Sequence, residues 1–271
     1  LKRLLVETIA HTEARLNLYG SVGALIDDIY GEDALHAATG RNWWLGRPVE
    51  QPGSNPVIFE LGSSIGSVLE HWPKEQVVKC LIYYHPDDSL DRRLAQESQV
   101  RTLCEATNES GHELLLELIP AKGLPFQQDT TIRTMTRFYN LGIHPDWWKL
   151  PAPSAEQWKQ IDELIQERDP YCRGAVLLGL NASPEFLADG FQQASHSSTV
   201  ESQQVVVRLT VLVDLMLYQE PRNHLDGVCR PGQTGALPWV KVRRAFAHAG
   251  DVGAVEWGHC CTSSTCRAFS S

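Results

Sequence analysis

The chain has 271 residues, of which 42 % are apolar and 21 % are charged, and its formal net charge is −9. This composition excludes a disordered chain, and an acidic balance with no block of lysine or arginine argues against a nucleic-acid groove. The most apolar run, residues 209–217, is too short to span a membrane and is interrupted by Asp214.

The cysteines and the first residues of the sequence indicate the cellular compartment. Cys80, Cys104 and Cys172 are isolated from one another in the sequence, which is typical of a reducing environment rather than of a disulfide framework. Charged and polar side chains recur through residues 1–13, so no apolar secretory signal is predicted there. We therefore expect a cytoplasmic protein.

Short apolar runs alternate with amphipathic stretches along the middle of the chain. The apolar runs are residues 22–26, 43–45, 77–84, 113–119, 147–150 and 174–180. The clearest helical stretches are residues 90–109, 129–139 and 154–167, the last with Ser154 as its predicted N-cap. Continuous apolar runs are typical of parallel strands buried on both faces. Repeated βα units form either a doubly wound sheet or a (β/α)8 barrel, and we favour the barrel because no dinucleotide-binding or P-loop motif is present.

The alternation ends at about residue 200. One β-like run follows, residues 205–215, and no sustained helical period comes after it. Residues 1–199 are therefore interpreted as a barrel domain and residues 200–271 as an atypical tail. The domain provides six strands, whereas a closed barrel of this type has eight.

Three ionisable side chains lie inside the predicted strands: Lys79 in VVKCLIYY, Glu117 in LLLELIP and Lys149 in WWKLP. Consecutive barrel strands would project them toward one region. A lysine in an apolar pocket beside another cation has a lowered pKa, and its neutral amine can form a Schiff base with a carbonyl group. Two lysines and a carboxylate therefore indicate class I aldolase chemistry, and a purely structural ion pair is the alternative. Trp147 and Trp148 flank Lys149, and one of them is expected to wall the pocket unless both only pack the core.

Polar residues after other strands are candidates for substrate binding. Asp27 and Asp28 end the first strand, where one of them could bind a substrate hydroxyl or cap a helix. Arg47 could bind a phosphate or carboxylate, or form a surface ion pair. Asn181 and Ser183 lie where barrels place phosphate-binding loops, although Ser183 is equally suited to be a helix N-cap.

Residues 259–266 contain a cysteine-rich pattern that raises the question of a zinc site. The pattern is His259-Cys260-Cys261 followed by Cys266. This spacing lacks a C-x2-C pair and fits no standard zinc-ligand set. We therefore expect no metal ion, and Schiff-base chemistry on a lysine needs no other cofactor.

Five segments of the chain resemble one known family. They read VGALIDDIYGEDALHAATGRNWWLGRPVE, WPKEQVVKCLIYYHPDD, SGHELLLELIPAK, FYNLGIHPDWWKL and ERDPYCRGAVLLGLNAS. Over residues 1–199 they resemble the aldolase-like domain fused to the C-terminus of bacterial 5-dehydro-2-deoxygluconokinase, an enzyme of myo-inositol catabolism. The chain is more distantly similar to tagatose-bisphosphate aldolases. The resemblance implies a class I aldolase-like TIM barrel.

The resemblance also implies roles for four residues. Lys149 matches the Schiff-base lysine of the family's sixth strand, Lys79 its fourth-strand lysine and Glu117 its fifth-strand acid/base carboxylate. Asp27 matches the second-strand acid, although the family's Asp-x-x-Tyr-Gly spacing also allows its neighbour. The implied reaction is retro-aldol cleavage of 5-dehydro-2-deoxygluconate 6-phosphate to dihydroxyacetone phosphate and malonate semialdehyde. The implied partners are this phosphorylated keto-sugar acid and a covalently fused sugar kinase domain, with no nucleic acid and no membrane.

Two departures from the family pattern stand out. The family's first strand would lie before Leu1, and its glycine- and arginine-containing eighth strand is replaced after Val200 by Glu-Ser-Gln-Gln. We hypothesise that the tail is out-of-frame translation or a foreign join, which the other two reading frames of the coding DNA would decide. Without the phosphate clamp an inactive fragment is one expected outcome, and residues 205–215 are expected to fill part of the gap as a surrogate strand.

The main hypothesis is thus an aldolase-like lyase, present as an incomplete barrel. The alternative is a non-catalytic binding or regulatory domain of the kinase fusion protein. Kinase activity of the chain itself finds no support, because its one glycine-rich stretch, residues 232–236, has no aspartate directly after it.

Overall fold

A sheet of parallel strands forms the centre of the computed structural model, which describes residues 2–20, 22–179, 183–195 and 212–214. Its strands are β1 (Gly23–Leu25), β2 (Trp44–Pro48), β3 (Gln76–Tyr84), β4 (Leu114–Pro120), β5 (Trp147–Leu150), β6 (Gly174–Leu177) and β7 (Leu212–Asp214). Every pairing is parallel, and the sheet order is β6-β5-β4-β3-β2-β1-β7. Each of the six predicted apolar runs overlaps one strand, which confirms the α/β class and the parallel sheet.

Helices follow most of the strands. They are α1 (Lys2–Leu16), α2 (Glu32–Ala38), α3 (Ile65–Leu69), α4 (Leu90–Ser110), α5 (Thr130–Asn140), α6 (Ala155–Arg168) and α7 (Pro184–Ser195). The ends of α4, α5 and α6 lie within one residue of those predicted. Ser154 begins α6 with the predicted capping box: its hydroxyl accepts from the backbone N–H of Gln157, whose side chain accepts from that of Ser154. Within the described ranges, no helix combines the length and the apolar character that crossing a membrane requires.

The two faces of the sheet bury different sets of side chains. The helix-side face contributes to the large core between sheet and helices, with Val78, Cys80, Leu116, Trp148 and Ala175 among its members. The opposite, inner face carries a smaller apolar cluster made of Leu25, Val77, Leu115, Trp147 and Val176, with Trp44 packed against it. Because successive strand residues point to opposite faces, the positions two residues from an inner-face residue also face inward.

The inner face is concave. Trp44 on β2 and Trp147 on β5 make an edge-to-face contact with their ring centroids 5.7 Å apart. Two strands separate β2 from β5, so in a flat sheet the two backbones would be about 14 Å apart. The contact shows that the sheet curls into part of a barrel, which is consistent with an incomplete TIM-like fold.

The strand β7 lies within the run predicted to act as a surrogate strand. Its residues Leu212–Asp214 pair in parallel with Gly23–Leu25 of β1. This places β7 beside β1, where a first barrel strand would lie, so the expectation of a strand from this run is confirmed. Residues 200–211 and 215–271 lie outside the described residues, and the hypothesis on the origin of the tail stays a prediction.

Candidate active site

The inner face carries the three ionisable residues selected from the sequence. Lys79 on β3, Glu117 on β4 and Lys149 on β5 each lie two positions after a member of the inner apolar cluster. Glu117 and Lys149 are also direct register partners on neighbouring strands. The structure therefore brings the three side chains to one face, whereas their catalytic roles stay predictions.

Glu117 lies between the two lysines. Its Oε2 atom is 2.8 Å from the Nζ of Lys79 and 3.2 Å from the Nζ of Lys149. Only 1 % of Lys79, 2 % of Glu117 and 3 % of Lys149 is exposed to solvent. At these distances and this burial, one carboxylate can exchange a proton with either amine.

Glu50 is a fourth member of this group, and sequence reasoning missed it. The Nζ of Lys79 donates a hydrogen bond to Oε1 of Glu50, which is 3 % exposed. Among the described residues, Oε2 of Glu50 is buried without a hydrogen-bond partner. The sequence signal was alternation, because Trp44, Gly46, Pro48 and Glu50 occupy every second position and so share the inner face. We refer to Lys79, Lys149, Glu50 and Glu117 as the lysine–carboxylate cluster.

The charges of the cluster control the protonation of Lys79. Burial opposes the charged form of Lys79, but the carboxylates of Glu50 and Glu117 outweigh this effect and raise the pKa of its amine above the ordinary value of 10.5. Burial raises the pKa of Glu50, and Lys79 counteracts part of that rise. At neutral pH, Lys79 is therefore a cation held between two carboxyl groups.

The two tryptophans that flank Lys149 lie on opposite faces of the sheet, and one of them belongs to the apolar floor of the site. Trp147 faces inward and packs in the inner cluster, where it is 6 % exposed. Trp148 faces the helices, and its Nε1 donates to the hydroxyl of Tyr139 at 2.8 Å. Trp147 is thus the residue that walls the site beneath Lys149, and Trp148 packs the core.

Asp27 lies at the C-terminal end of β1, apart from the cluster. Its Oδ1 forms an ion pair with the amine of Lys2 on α1, and its Oδ2 accepts the backbone N–H of Tyr30 at 2.9 Å. The residue is 9 % exposed. Its role as the family's second-strand acid stays a prediction.

Arg47 lies on the other face of the sheet, so the structure does not bring it together with the lysine–carboxylate cluster, and its predicted role in substrate binding stays a hypothesis. It is the register partner of Val78, a member of the helix-side core. Its guanidinium group lies 3.6 Å from the ring centroid of Trp72, donates to Gln76 Oε1 at 2.7 Å and forms an ion pair with Asp28. Arg47 thus forms an ion pair, as the alternative predicted, but the pair is largely buried because strand alternation turns the side chain toward the helices.

The predicted phosphate loop after β6 is described only in part. Ser183 is the cap of α7: its hydroxyl accepts the N–H of Phe186 at 3.2 Å and its carbonyl oxygen that of Leu187 at 3.0 Å. This agrees with the helix-cap alternative for Ser183. Asn181 lies outside the described residues, and phosphate binding by this loop stays a prediction.

The residues considered for metal binding and for phosphoryl transfer, 259–266 and 232–236, also lie outside the described residues. In the part of the chain that the structure describes, no group of three or more histidine, cysteine, aspartate or glutamate side chains is arranged to hold a metal ion.

Comparison with known proteins places the chain in a family. No curated protein matches it. The model of a family described as "Uncharacterized protein conserved in bacteria (DUF2090)" matches residues 1–212. The matched segment includes β1 to β6 and all four residues of the lysine–carboxylate cluster. Since the match covers most of the chain, the chain belongs to the bacterial family DUF2090.

Proposed function

We propose that the chain is a class I aldolase-like lyase in which Lys149 forms a Schiff base with a keto substrate. The observation that carries the proposal is the position of Glu117, whose Oε2 lies 3.2 Å from the Nζ of Lys149 and 2.8 Å from that of Lys79. A buried amine, an adjacent proton carrier and a second cation are the groups that Schiff-base chemistry uses. Their placement on the concave face of a parallel sheet supports this function further.

Lys149 is better suited than Lys79 to be the nucleophile. Although burial opposes its charge, Lys79 has a raised pKa because Glu50 and Glu117 both contact its amine. An ammonium group has no lone pair for attack, but it can stabilise negative charge on a substrate oxygen. Lys149 is the penultimate residue of β5, close to the strand ends where barrel enzymes bind their substrates.

The reaction begins with proton transfer and attack on the ketone. Glu117 takes a proton from the ammonium group of Lys149, the neutral amine adds to the ketone carbon, and a proton moves from the nitrogen to the former ketone oxygen to give a neutral carbinolamine. Glu117 then passes the proton to the hydroxyl group of the carbinolamine, which leaves as water. The product of these steps is an iminium ion on Lys149, with Lys79 beside it as a fixed positive charge.

Carbon–carbon cleavage follows from the iminium ion. A base removes the proton of the hydroxyl group on the β carbon, the bond between the α and β carbons breaks, and its electron pair moves toward the iminium nitrogen. The β carbon leaves as an aldehyde, and an enamine remains on Lys149. Protonation of the enamine and addition of water release the ketone product and restore the amine.

The resemblance described above supplies a substrate for this proposal. It is 5-dehydro-2-deoxygluconate 6-phosphate, with dihydroxyacetone phosphate and malonate semialdehyde as products and a fused sugar kinase as the partner domain. Asp27 would bind a substrate hydroxyl group. A carboxylate offers about four lone-pair positions, so Asp27 can accept a further hydrogen bond beside those from Lys2 and the N–H of Tyr30.

Reductive trapping tests the proposal directly. The full chain is incubated with dihydroxyacetone phosphate and borohydride, and the modified peptide is identified by mass spectrometry. We expect a covalent adduct on Lys149 and none in the Lys149→Met variant. The matched control is Lys122→Met, which removes an exposed lysine after β4 and should leave the adduct unchanged.

The other outcomes of this experiment are equally informative. An adduct on Lys79, or no adduct with a folded wild-type chain, would contradict the assignment of Lys149. Binding of dihydroxyacetone phosphate without an adduct would favour the alternative, a binding or regulatory domain. In that case the lysine–carboxylate cluster would be a structural ion network.

A further inference from the structure

The N-terminal helix places a lysine at the C-terminal edge of β1. The amine of Lys2, in the first turn of α1, forms an ion pair with Oδ1 of Asp27, and the two residues are 7 % and 9 % exposed. The same amine lies 5.8 Å from the ring centroid of Tyr30. A buried amine needs a charged partner, so Asp27 determines where this side chain lies.

The turn that follows β1 holds the other oxygen of Asp27. The backbone N–H of Tyr30 donates to Oδ2 of Asp27 at 2.9 Å. Gly31 packs so closely that a Cβ atom at this position would lie 2.2 Å from the carbonyl oxygen of Asp27. The Asp-x-x-Tyr-Gly segment therefore fixes one carboxylate oxygen through the local turn, and Lys2 fixes the other from a distant helix.

The register of β1, β2 and β3 relates the position of Asp27 to that of Lys79. Leu25 pairs with Gly46, and Pro48 pairs with Lys79. Asp27 lies two residues after Leu25, so the strand alternation, continued past the end of β1, would place it level with Pro48 and on the side of Lys79. One strand, β2, separates it from the strand of Lys79.

The charge of Lys2 also acts on a second acidic residue at this edge, Glu60. Glu60 directly follows the residue that is bridged to Glu50 of the cluster. Burial raises the pKa of Glu60, the charges of Asp27 and Asp28 raise it further, and Lys2 lowers it. The amine of Lys2 therefore acts on carboxylates from two loops beside the lysine–carboxylate cluster.

We propose that Lys2 is a positioning residue for Asp27, through which helix α1 takes part in the site. This inference rests on the proposed function, because Asp27 is the group that would hold a substrate hydroxyl while Lys149 attacks. The ion pair keeps the carboxylate at the edge of the inner face with its remaining lone pairs available. Without the amine, Asp27 would lose one of the two contacts that orient it.

The test compares variants by the rate of adduct formation with dihydroxyacetone phosphate and borohydride in the full chain. In Lys2→Met, the rate at saturating dihydroxyacetone phosphate should fall about 10- to 100-fold, as expected when a binding group is displaced by about an ångström. The half-saturating concentration should change less than about threefold, because the loss is one of orientation. Lys2→Arg keeps the cation and should restore most of the rate.

A second comparison separates positioning from a merely structural effect. If Lys2 acts through Asp27, the Lys2→Met substitution should have no further effect on the rate in an Asp27→Asn background. Equal rates for wild type and folded Lys2→Met would overturn this inference and leave the assignment of Lys149 intact. An additional loss in the Asp27→Asn background would overturn it as well. No adduct with the folded wild-type chain would overturn both the inference and the proposed function.

Discussion

Glu117 and Lys149 are register partners on adjacent parallel strands, and Oε2 of Glu117 lies 3.2 Å from Nζ of Lys149. Both side chains are almost fully buried, so solvent cannot satisfy either charge. Each therefore depends on the other and on Lys79, which shares the same carboxylate oxygen at 2.8 Å. This dependence makes the cluster sensitive to the loss of any one member.

The substitution Glu117→Gln should lower the free energy of unfolding by about 3 kcal/mol, because it leaves two buried amines without their shared carboxylate. Urea denaturation measures the change. The control is Glu7→Gln, which removes an exposed carboxylate 3.2 Å from Arg3. That substitution should cost less than about 1 kcal/mol. Similar losses in both variants would show that the cluster adds no special stability.

The raised pKa of Lys79 predicts a dependence of stability on alkaline pH. The folded state holds this proton more tightly than the unfolded state. The stabilising contribution is thus complete below the ordinary pKa of 10.5 and is lost as the pH rises toward the higher folded-state value. Wild type should therefore lose unfolding free energy more steeply than Lys79→Met between about pH 10 and about pH 12. Parallel curves for the two proteins would contradict the raised pKa.

Gly31 should tolerate no side chain. A Cβ atom there would lie 2.2 Å from the carbonyl oxygen of Asp27 and 2.8 Å from Cγ2 of Ile26. Gly31→Ala should therefore cost about 2 kcal/mol of unfolding free energy, and it should slow adduct formation because the turn that holds Asp27 must shift. Gly66→Ala is the matched control, since its nearest neighbour would be the Cβ of Ala106 at 4.0 Å. In a helix, this control should be neutral or stabilising by up to about 1 kcal/mol.

Arg47→Met should reduce stability without affecting the chemistry. It removes the ion pair with Asp28 and the stacking on Trp72, at an expected cost of about 2 kcal/mol by urea denaturation. Adduct formation at a temperature where the variant is folded should equal that of wild type. The control Arg41→Met removes an exposed arginine near Trp43 and should cost less than about 1 kcal/mol. Loss of adduct from a stable Arg47→Met protein would instead support substrate binding by Arg47.

Local sequence signals were enough to predict the strands, the main helices and the residues of the inner face. Continuous apolar runs marked the strands, and the serine–glutamine pair at Ser154 and Gln157 marked a helix start. Lys79, Glu117 and Lys149 were conspicuous because a charge inside an apolar run is unusual. Their closeness required only that consecutive strands be neighbours, which the parallel sheet satisfies.

Local sequence signals could not predict the positions of three side chains: Glu50, Lys2 and Arg47. Glu50 follows the end of β2, where a glutamate is ordinary, and its inward direction depends on where β2 begins and on its register. Lys2 resembles any surface lysine until the fold brings it to Asp27, 25 residues away. Arg47 was assigned from its position at the end of an apolar run, whereas strand alternation decides the face on which it lies.

The pairing of Glu117 with Lys149 links correct folding to chemical competence. A slip of β5 by one residue against β4 would exchange Lys149 for Trp148 or Leu150 on the concave side and bury an isolated glutamate and an isolated lysine. The misaligned sheet would therefore be less stable for two reasons: it loses packing, and it buries charges that have no opposite charge beside them. The groups proposed to perform the reaction therefore also favour the correct register of the strands that carry them.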